Sequence, residues 1–286
     1  MVDKPAGWTS HDVVARSRGL LGTRKVGHSG TLDPDATGVL VLGVGRATRL
    51  LRYLTALGKT YEAEIVLGTE TTTLDAAGEV TATHDMTGVT LVDARRIAAE
   101  ALTGPILQVP PMVSAIKVDG RRLHELAREG IEVERQARPV TVYSFTLDEV
   151  PDVPGVLRAA VACSSGTYVR TLAADLGHLL GGGAHLRALR RTAVGGYTIA
   201  DAVPLDALGP DRLLPMTAAV AHLDQVAVDG DIAVAVGHGK VLARADLGVD
   251  RGGDGPWAVT DAEGALRAVY IAHRDDTVKP ELVIAP

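Results

Sequence analysis

The pattern of apolar and polar positions predicts a chain in which strands and helices alternate. Residues 59–67 are apolar at the odd positions from 61 to 67 and polar at 60, 62 and 64. This alternation is typical of a strand with one buried face, and it places Tyr61 on that face. Apolar segments predict further strands at residues 38–44, 140–150 and 156–163.

Helical signals lie between these strands. The first helix is predicted to begin at Thr9 or Ser10 and to run to position 21, because Asp12 stands where a capping box needs an acid. Apolar spacing and terminal glycines predict further helices at residues 47–57, 92–102 and 167–180.

The chain is predicted to form two domains. Residues 1–217 form the larger one, in which residues 109–139, with six Lys or Arg and five acids, are an irregular insertion rich in proline and charge. Residues 205–217 are a linker. Short Val-, Ala- and Ile-rich segments separated by glycines follow, among them DGDIAVAVGHGK at 229–240. Closely spaced short strands of this kind predict a small β-barrel domain at residues 225–286.

The composition is that of an ordinary globular protein and excludes several kinds of site. Apolar residues make up 46% of the chain, enough for a sizeable core. Cys163, the one cysteine, excludes a disulfide framework and a cysteine-based zinc site. No HxxxH, EF-hand or P-loop motif occurs, so neither a metal nor a nucleotide cofactor is expected. The absence of a signal-peptide pattern and of a run of about 18 apolar residues predicts a cytoplasmic protein without a membrane partner.

The distribution of charge along the chain and the net charge lead to different expectations about nucleic-acid binding. A net charge of −6 argues against nucleic-acid binding. However, residues 1–61 carry nine Lys or Arg against four acids, an excess of five, whereas the C-terminal residues are acidic. Such asymmetry is compatible with a basic face that binds a polyanion. A solvated imbalance with no partner is the alternative.

One loop carries a candidate for chemistry. Residues 27–38 read GHSGTLDPDATG and place Asp33 between apolar Leu32 and rigid Pro34. Glycine adopts backbone conformations that other residues avoid, and a carboxylate fixed in such a loop is a candidate nucleophile or base. A surface turn capped by Asp33 is the structural alternative.

Six short motifs follow one another along the chain. They are KPAG at 4–7, GHSGTLDPDATGVL at 27–40, KTY at 59–61, VSAIK at 113–117 continuing to Gly130, CSSGTYVR at 163–170, and GAHL to RRT at 183–192. Together they closely resemble the bacterial tRNA pseudouridine-55 synthase family, over nearly the whole chain. The resemblance implies an α/β fold of the α+β type, with a mixed, largely antiparallel sheet, flanking helices and a small C-terminal β-barrel.

The resemblance also implies an activity. Members of this family are cofactor-free isomerases that convert uridine 55 in the T-loop of tRNA to pseudouridine. The enzyme extrudes the uridine, breaks its N-glycosidic bond, turns the base and rejoins it through carbon. An ionised carboxylate can stabilise an electron-poor sugar carbon or remove a neighbouring proton. The expected partner is tRNA, bound by a monomer that requires no protein partner.

The matched motifs assign the central roles to three residues. Asp33 is the catalytic carboxylate, and three options stay open for it: attack on the sugar carbon, attack on the uracil ring, or abstraction of a ribose proton. Arg170 pairs with Asp33 and keeps it ionised. Tyr61 lies against the target base, where stacking is worth about 1–3 kcal/mol, and its hydroxyl could serve in removal of the C5 proton. A core tyrosine and a solvent-exposed arginine are the structural alternatives.

Supporting roles go to four further residues. Tyr168 contributes to the base pocket, and Leu189 forms an apolar wall, although a core leucine would look the same in sequence. His28 contacts the RNA where the target nucleotide leaves its stack, or is ordinary polar surface. Lys4 supports the pocket from the N-terminal strand, or is a surface lysine. Contacts to phosphates are expected from Arg24, Lys25, Lys117, Arg121, Arg122, Arg190 and Arg191.

The sequence departs from the family pattern at one acidic position, and two alternative functions stay open. Thr72 stands where many members carry an acid, whereas Asp75 is kept.

The first alternative function is a non-catalytic tRNA-folding or RNA-binding protein on the same scaffold. The intact set of Asp33, Tyr61 and Arg170 argues against it. The second is a nucleoside or glycoside hydrolase with Asp33 as one of two carboxylates, for which no second acid stands at a suggestive position.

Overall fold

The computed structural model describes residues 1–284 apart from 115, 119, 251 and 252, and only the backbone of 117, 118, 122, 124 and 128. The helices in this part are α1 (Ser10–Leu20), α2 (Leu51–Thr55), α3 (Leu91–Ala101), α4 (Leu123–Arg128), α5 (Val169–Leu179), α6 (Gly230–Gly237) and α7 (Arg244–Leu247). The strands as far as the insertion are β1 (Val2–Lys4), β2 (Val26–His28), β3 (Thr37–Leu40), β4 (Leu42–Val44), β5 (Lys59–Leu67), β6 (Thr69–Thr71), β7 (Val80–Thr83), β8 (Gly104–Gln108), β9 (Lys117–Val118) and β10 (Arg121–Arg122). The later strands are β11 (Arg138–Glu149), β12 (Val156–Cys163), β13 (Ala184–Val194), β14 (Tyr197–Thr198), β15 (Val203–Pro204), β16 (Asp224–Ala227), β17 (Leu242–Ala243), β18 (Trp257–Thr260), β19 (Leu266–Ala272) and β20 (Thr277–Val283).

The larger sheet joins nine strands in the order β15-β1-β3-β13-β5-β12-β11-β8, with β14 paired to β13. The pairs β1–β15 and β3–β13 are parallel, and the others are antiparallel. The expected mixed, largely antiparallel sheet is therefore confirmed. Its central pairings bring distant motifs together, because Tyr61 on β5 stands opposite Arg191 on β13 and Val161 on β12.

Helices α3 and α5 pack their apolar sides against this sheet. Leu172 and Leu176 of α5 and Ala98 of α3 are buried in one cluster with inward residues of β5 and β12. Burial of a leucine side chain contributes about 1.5–3 kcal/mol, so these contacts hold α5 firmly on the sheet. The helix and strand predictions for this region are confirmed to within about two residues, the usual scatter of element boundaries.

The strand predicted at residues 38–44 forms as two strands, β3 and β4, because the chain changes sheets at Val41. Strand β3 pairs with β1 and β13, whereas β4 pairs with β2. Between them, the carbonyl of Val41 accepts from the N–H of Ser29 at 3.0 Å. An uninterrupted apolar run does not reveal such a change of partner. Its consequence is that residues 29–36 form a loop closed at its base by β2, β3 and β4.

The C-terminal residues form a five-stranded sheet in the order β16-β18-β19-β20-β17, in agreement with the expected small barrel. The predicted strand within residues 229–240 is wrong, since Gly230–Gly237 is helix α6. Ile232, Ala235 and Val236 pack on the core of this sheet at the i, i+3, i+4 spacing of a helix face. The β-branched residues of this segment favour a strand, but the segment forms a helix because one helical face is buried against the sheet.

The smaller sheet shares an apolar cluster with the helical segment around α2. Leu50 and Tyr53, next to and within α2, pack with Val269 and Leu282 of the smaller sheet. Strands of the larger sheet end at Pro204 and those of the smaller begin at Asp224. The division into domains 1–217 and 225–286 stays a prediction.

The insertion is less irregular than its composition suggests. Residues 109–139 include the hairpin β9–β10, helix α4 and the start of β11. Among the described helices, none is both long and apolar enough to cross a membrane.

Candidate active site

The loop that carries Asp33 is held on both sides of that residue. The N–H of Leu32 donates to Ser10 Oγ at 2.9 Å, and the Ser10 hydroxyl donates to the Leu32 carbonyl at 3.2 Å. On the other side, the N–H of Ala36 donates to the Asp33 carbonyl at 3.1 Å. The main chain is thus fixed, while the Asp33 side chain keeps 39% of its surface exposed.

Lys4 is fully buried against this loop. Its ammonium donates to the carbonyl oxygens of Pro5 at 2.9 Å, Trp8 at 2.6 Å and Pro34 at 2.7 Å. Burial lowers the pKa of Lys4 to about 8. This environment does not agree with a surface lysine. The supporting role of Lys4 stays a prediction.

Arg170, in the first turn of α5, binds Asp33 with two nitrogens. Nε lies 3.0 Å from Asp33 Oδ2, and Nη2 lies 3.2 Å from Oδ1. The other contacts of the guanidinium are the carbonyls of Thr73 at 3.0 Å and Val113 at 2.8 Å, and Asp75 Oδ2 at 3.4 Å. A two-point arginine–carboxylate pair fixes orientation as well as distance. The alternative of a solvent-exposed arginine is wrong, since 4% of this side chain is exposed.

Opposing effects act on the Asp33 carboxyl. Burial raises its pKa above the ordinary value, the Arg170 charge lowers it, and the neighbouring Asp75 raises it; the net direction is upward. A carboxylate that is incompletely solvated, yet paired with a fixed cation, is the kind of group found at reaction centres.

Asp33 and Arg170 line a cavity of about 430 Å³, together with Tyr61, Tyr168 and Leu189. The structure therefore brings five of the seven predicted site residues to one cavity. Its volume lies within the range of small-molecule sites. A second cavity, of about 410 Å³, shares Asp33, Arg170 and Leu189 with the first. The two cavities therefore meet at these three residues.

His28 lies at the end of β2, beside Ser29, which lines the first cavity. The N–H of Gly30 donates to His28 Nδ1 at 3.3 Å, and burial lowers the pKa of the imidazole. Burial thus favours the uncharged form of the ring. The RNA contact of His28 stays a prediction.

Tyr61 and Arg191 are cross-strand neighbours, and both are buried. Burial raises the pKa of the Tyr61 hydroxyl, whereas the Arg191 charge lowers it. Arg191 donates to the carbonyls of Val39 at 2.8 Å, Gly30 at 3.1 Å and Thr31 at 3.4 Å. One arginine therefore contacts both the Tyr61 side of the cavity and the loop that carries Asp33.

The prediction that Arg191 contacts phosphate is wrong, because only 1% of it is exposed. Its neighbour Arg190 forms a two-point pair with Asp3, with Nη2–Oδ2 at 2.8 Å and Nη1–Oδ1 at 3.1 Å. Successive side chains of a strand point to opposite faces, so two adjacent arginines could not both face one ligand. This alternation along the strand could have shown from the sequence that Arg190 and Arg191 face different surroundings.

The other residues predicted to contact phosphate include three with exposed side chains. Arg24 and Lys25 are exposed. Arg121 is exposed and forms an ion pair with Glu129. The side chains of Lys117 and Arg122 lie outside the described residues.

Two further residues shape the site but were given no role from the sequence. Asp75, kept in the motif after β5, lies on a different edge of the Arg170 guanidinium from Asp33. Lys59 lines the first cavity, and its ammonium donates to the carbonyls of Thr55 at 2.6 Å and Leu57 at 2.7 Å. Burial lowers the pKa of Lys59 to about 8. Its place on the same strand face as Tyr61, two residues away, was the available signal.

Thr72, at the position where many family members carry an acid, has a local structural role. Its hydroxyl oxygen accepts from the N–H of Glu79 at 3.1 Å. Across the part of the chain that the structure describes, no group of three His, Cys, Asp or Glu residues is placed to hold a metal ion.

Comparisons with known proteins identify the family of this chain. Residues 18–169 match the family model for the N-terminal domain of TruB family pseudouridylate synthases. Residues 170–227 match the model for the tRNA pseudouridylate synthase B C-terminal domain.

Similar curated relatives include two proteins named tRNA pseudouridine synthase B. That of Arthrobacter sp. (strain FB24) is 48% identical over 295 residues, which span 100% of this chain and 96% of the relative. That of Thermobifida fusca (strain YX) is 55% identical over 228 residues, which span 77% of this chain and 78% of the relative.

Similar solved structures include a chain of an H/ACA RNP bound to a substrate RNA containing 2'-deoxyuridine, 26% identical with a TM-score of 0.73. A chain of a Cbf5-Nop10-Gar1 complex is 28% identical with a TM-score of 0.72. Each match covers 100% of this chain, and 84% and 82% of the respective neighbour. Family model, relatives and fold agree: this chain belongs to the TruB family of pseudouridylate synthases.

Proposed function

We propose that the protein isomerises uridine to pseudouridine in tRNA, at position 55 of the T-loop. The relatives named above are tRNA pseudouridine synthases B, at 48% and 55% identity. The observation that carries the proposal is the two-point pair of Arg170 and Asp33 at the wall of the cavity that Tyr61 also lines.

The reaction rearranges one nucleoside and needs no net gain or loss of atoms. The bond from C1' to N1 breaks, a bond from C1' to C5 forms, and the C5 proton leaves while N1 gains one. Asp33 acts on the sugar or the base in the first step, with Arg170 holding it ionised and aimed. The three options for its first step all require this ionised carboxylate beside the bound nucleotide.

The nucleotide must leave its stack to reach this cavity. Extrusion costs a few kcal/mol, and stacking on Tyr61 offsets about 1–3 kcal/mol of that cost. Leu189 supplies an apolar wall, and Tyr168 lies at the start of α5 beside Arg170.

The test follows tritium release from C5-labelled uridine in a tRNA transcript. Wild type is expected to release tritium and to produce pseudouridine, whereas Asp33→Asn is expected to bind the RNA and release none. Asp35→Asn is the matched control, because Asp35 is exposed two residues further along the same loop. Release of free uracil would support the hydrolase instead. A wild-type protein that releases no tritium, or an Asp33→Asn variant that releases it at nearly the wild-type rate, would contradict the proposal.

The partner of the site is proposed to be the T stem-loop of tRNA, with Arg24 and Lys25 among its phosphate contacts. Both side chains are exposed. We propose a cytoplasmic monomer that needs no protein partner. Light scattering of the active enzyme with and without tRNA tests it, and a dimer required for turnover would contradict it.

A further inference from the structure

Gln108, the last residue of β8, makes two hydrogen bonds to the main chain of Tyr168. The N–H of Tyr168 donates to Gln108 Oε1 at 2.7 Å, and Gln108 Nε2 donates to the Tyr168 carbonyl at 3.1 Å. Gln108 is buried, with 3% of its surface exposed. These two residues are sixty positions apart along the chain, so this contact is purely tertiary.

Tyr168 is the N-cap residue of α5, and no side chain of the helix itself caps that end. Its main-chain conformation sets the direction in which the helix begins, and Arg170 lies within the first turn. Gln108 therefore fixes Tyr168, and the main chain of Tyr168 in turn sets the position of Arg170. A helix N-terminus without a local cap depends on such outside partners.

The residues that follow Gln108 contact the same region. The carbonyl of Val113 accepts from Arg170 Nη2 at 2.8 Å. Burial raises the pKa of the Tyr168 hydroxyl, whereas a hydrogen bond with Ser114 lowers it. The start of α5 is thus held by Gln108 through the Tyr168 main chain, and by the first part of the insertion through the Tyr168 hydroxyl and Arg170.

We infer that Gln108 is a positioning residue for the isomerisation. It holds Tyr168, and through the first turn of α5 it holds Arg170 where that side chain pairs with Asp33. The inference rests on the proposed function and adds to it a residue that touches neither base nor sugar. A displacement of about 1 Å in a reacting group can lower a rate by about a hundredfold, so a small shift of Arg170 would be measurable.

Gln108→Leu tests this, because leucine fills similar space and makes neither hydrogen bond. The measurement is the single-turnover rate of pseudouridine formation at saturating tRNA, with RNA affinity measured separately. The rate is expected to fall by about ten- to a hundredfold, with little change in Kd. Gln225→Leu is the control: Gln225 Nε2 also donates to two carbonyls, those of Val220 at 2.8 Å and Leu223 at 2.7 Å, outside the cavity. Its rate is expected to match wild type.

The pH dependence separates positioning from simple loss of stability. Arg170 lowers the pKa of Asp33, so a displaced Arg170 moves the acid limb of the rate profile to higher pH. Gln108→Leu is expected to show this movement, and Gln225→Leu is not. Should Gln108→Leu fail to fold, Gln108→Asn keeps a buried amide that is one methylene too short to span both Tyr168 groups, and it is expected to show the same movement.

The outcomes distinguish this inference from the proposed function. A wild-type enzyme without turnover contradicts the function itself. Wild-type turnover together with unchanged rate and acid limb in the folded Gln108 variants overturns the inference, even if their unfolding temperature falls. A weaker Kd with an unchanged single-turnover rate overturns it as well, because Gln108 would then serve RNA binding alone.

Discussion

Arg170 holds both carboxylate oxygens of Asp33, with Nε 3.0 Å from Oδ2 and Nη2 3.2 Å from Oδ1. The remaining donors of the guanidinium bind the main-chain carbonyls of Thr73 and Val113. The position of the proposed catalytic carboxylate thus depends on segments that lie far apart in sequence.

Arg170→Lys is expected to lower the single-turnover rate by about a hundredfold while tRNA binding is retained. An ammonium keeps the charge but cannot make two parallel hydrogen bonds to one carboxylate. Arg95→Lys is the control, since Arg95 binds the Leu147 carbonyl at 2.8 Å and Asp148 at 2.6 Å at an exposed site on α3. A rate for Arg170→Lys equal to that of the control would show that charge alone suffices.

The single-turnover rate is expected to fall as the pH drops through the pKa of Asp33. The ionised carboxylate is the active form, so activity is present above this pKa and lost below it. Burial raises the pKa above its ordinary value, and Asp75 contributes in the same direction. Asp75→Asn is therefore expected to move the acid limb to lower pH. Circular dichroism at each pH confirms folding; movement to higher pH would contradict the stated effect of Asp75.

Tyr61→Ala is expected to reduce turnover far more than RNA affinity. The substitution removes both the proposed stacking surface and the hydroxyl, whereas the proposed phosphate contacts, Arg24 and Lys25 among them, are other residues. Tyr61→Phe keeps the ring and isolates the contribution of the hydroxyl. Tyr143→Ala, at a tyrosine that is 61% exposed on β11, is the control for loss of an aromatic ring. Equal losses of turnover and affinity in Tyr61→Ala would assign Tyr61 to binding only.

Gly38→Ala is expected to destabilise the protein more than Gly22→Ala. Both glycines have positive φ, +104° and +62° respectively, which costs a non-glycine residue about 1–3 kcal/mol. A Cβ at Gly38 would also lie 2.1 Å from the carbonyl oxygen of Arg191, whereas at Gly22 nothing lies within 4 Å. Strands β3 and β13 would have to separate, at about 1–3 kcal/mol more. Denaturant unfolding measures both variants, and equal losses would show that the strands adapt freely.

Much of the secondary structure was predictable because its signals are local. The alternation over residues 59–67 depends only on neighbouring side chains, as does the capping box of Thr9 and Asp12. Prediction failed where a distant partner decides the outcome. Helix α6 formed because one face of a Val-rich segment packs on the smaller sheet, and residues 38–44 divided because β4 found a different partner from β3.

The sequence by itself determined which residues are candidates for chemistry. Asp33, Arg170 and Tyr61 stand in motifs whose order and composition are specific, and the structure brings all three to one cavity. Only the tertiary structure decided the surroundings of those groups. It buried Arg191 against Tyr61 and the Asp33 loop, placed Asp75 on Arg170, and set Gln108 against the main chain of Tyr168. A residue type carries the chemistry of a side chain, but burial, partners and pKa depend on what packs around it, and those neighbours come from segments far away in the chain.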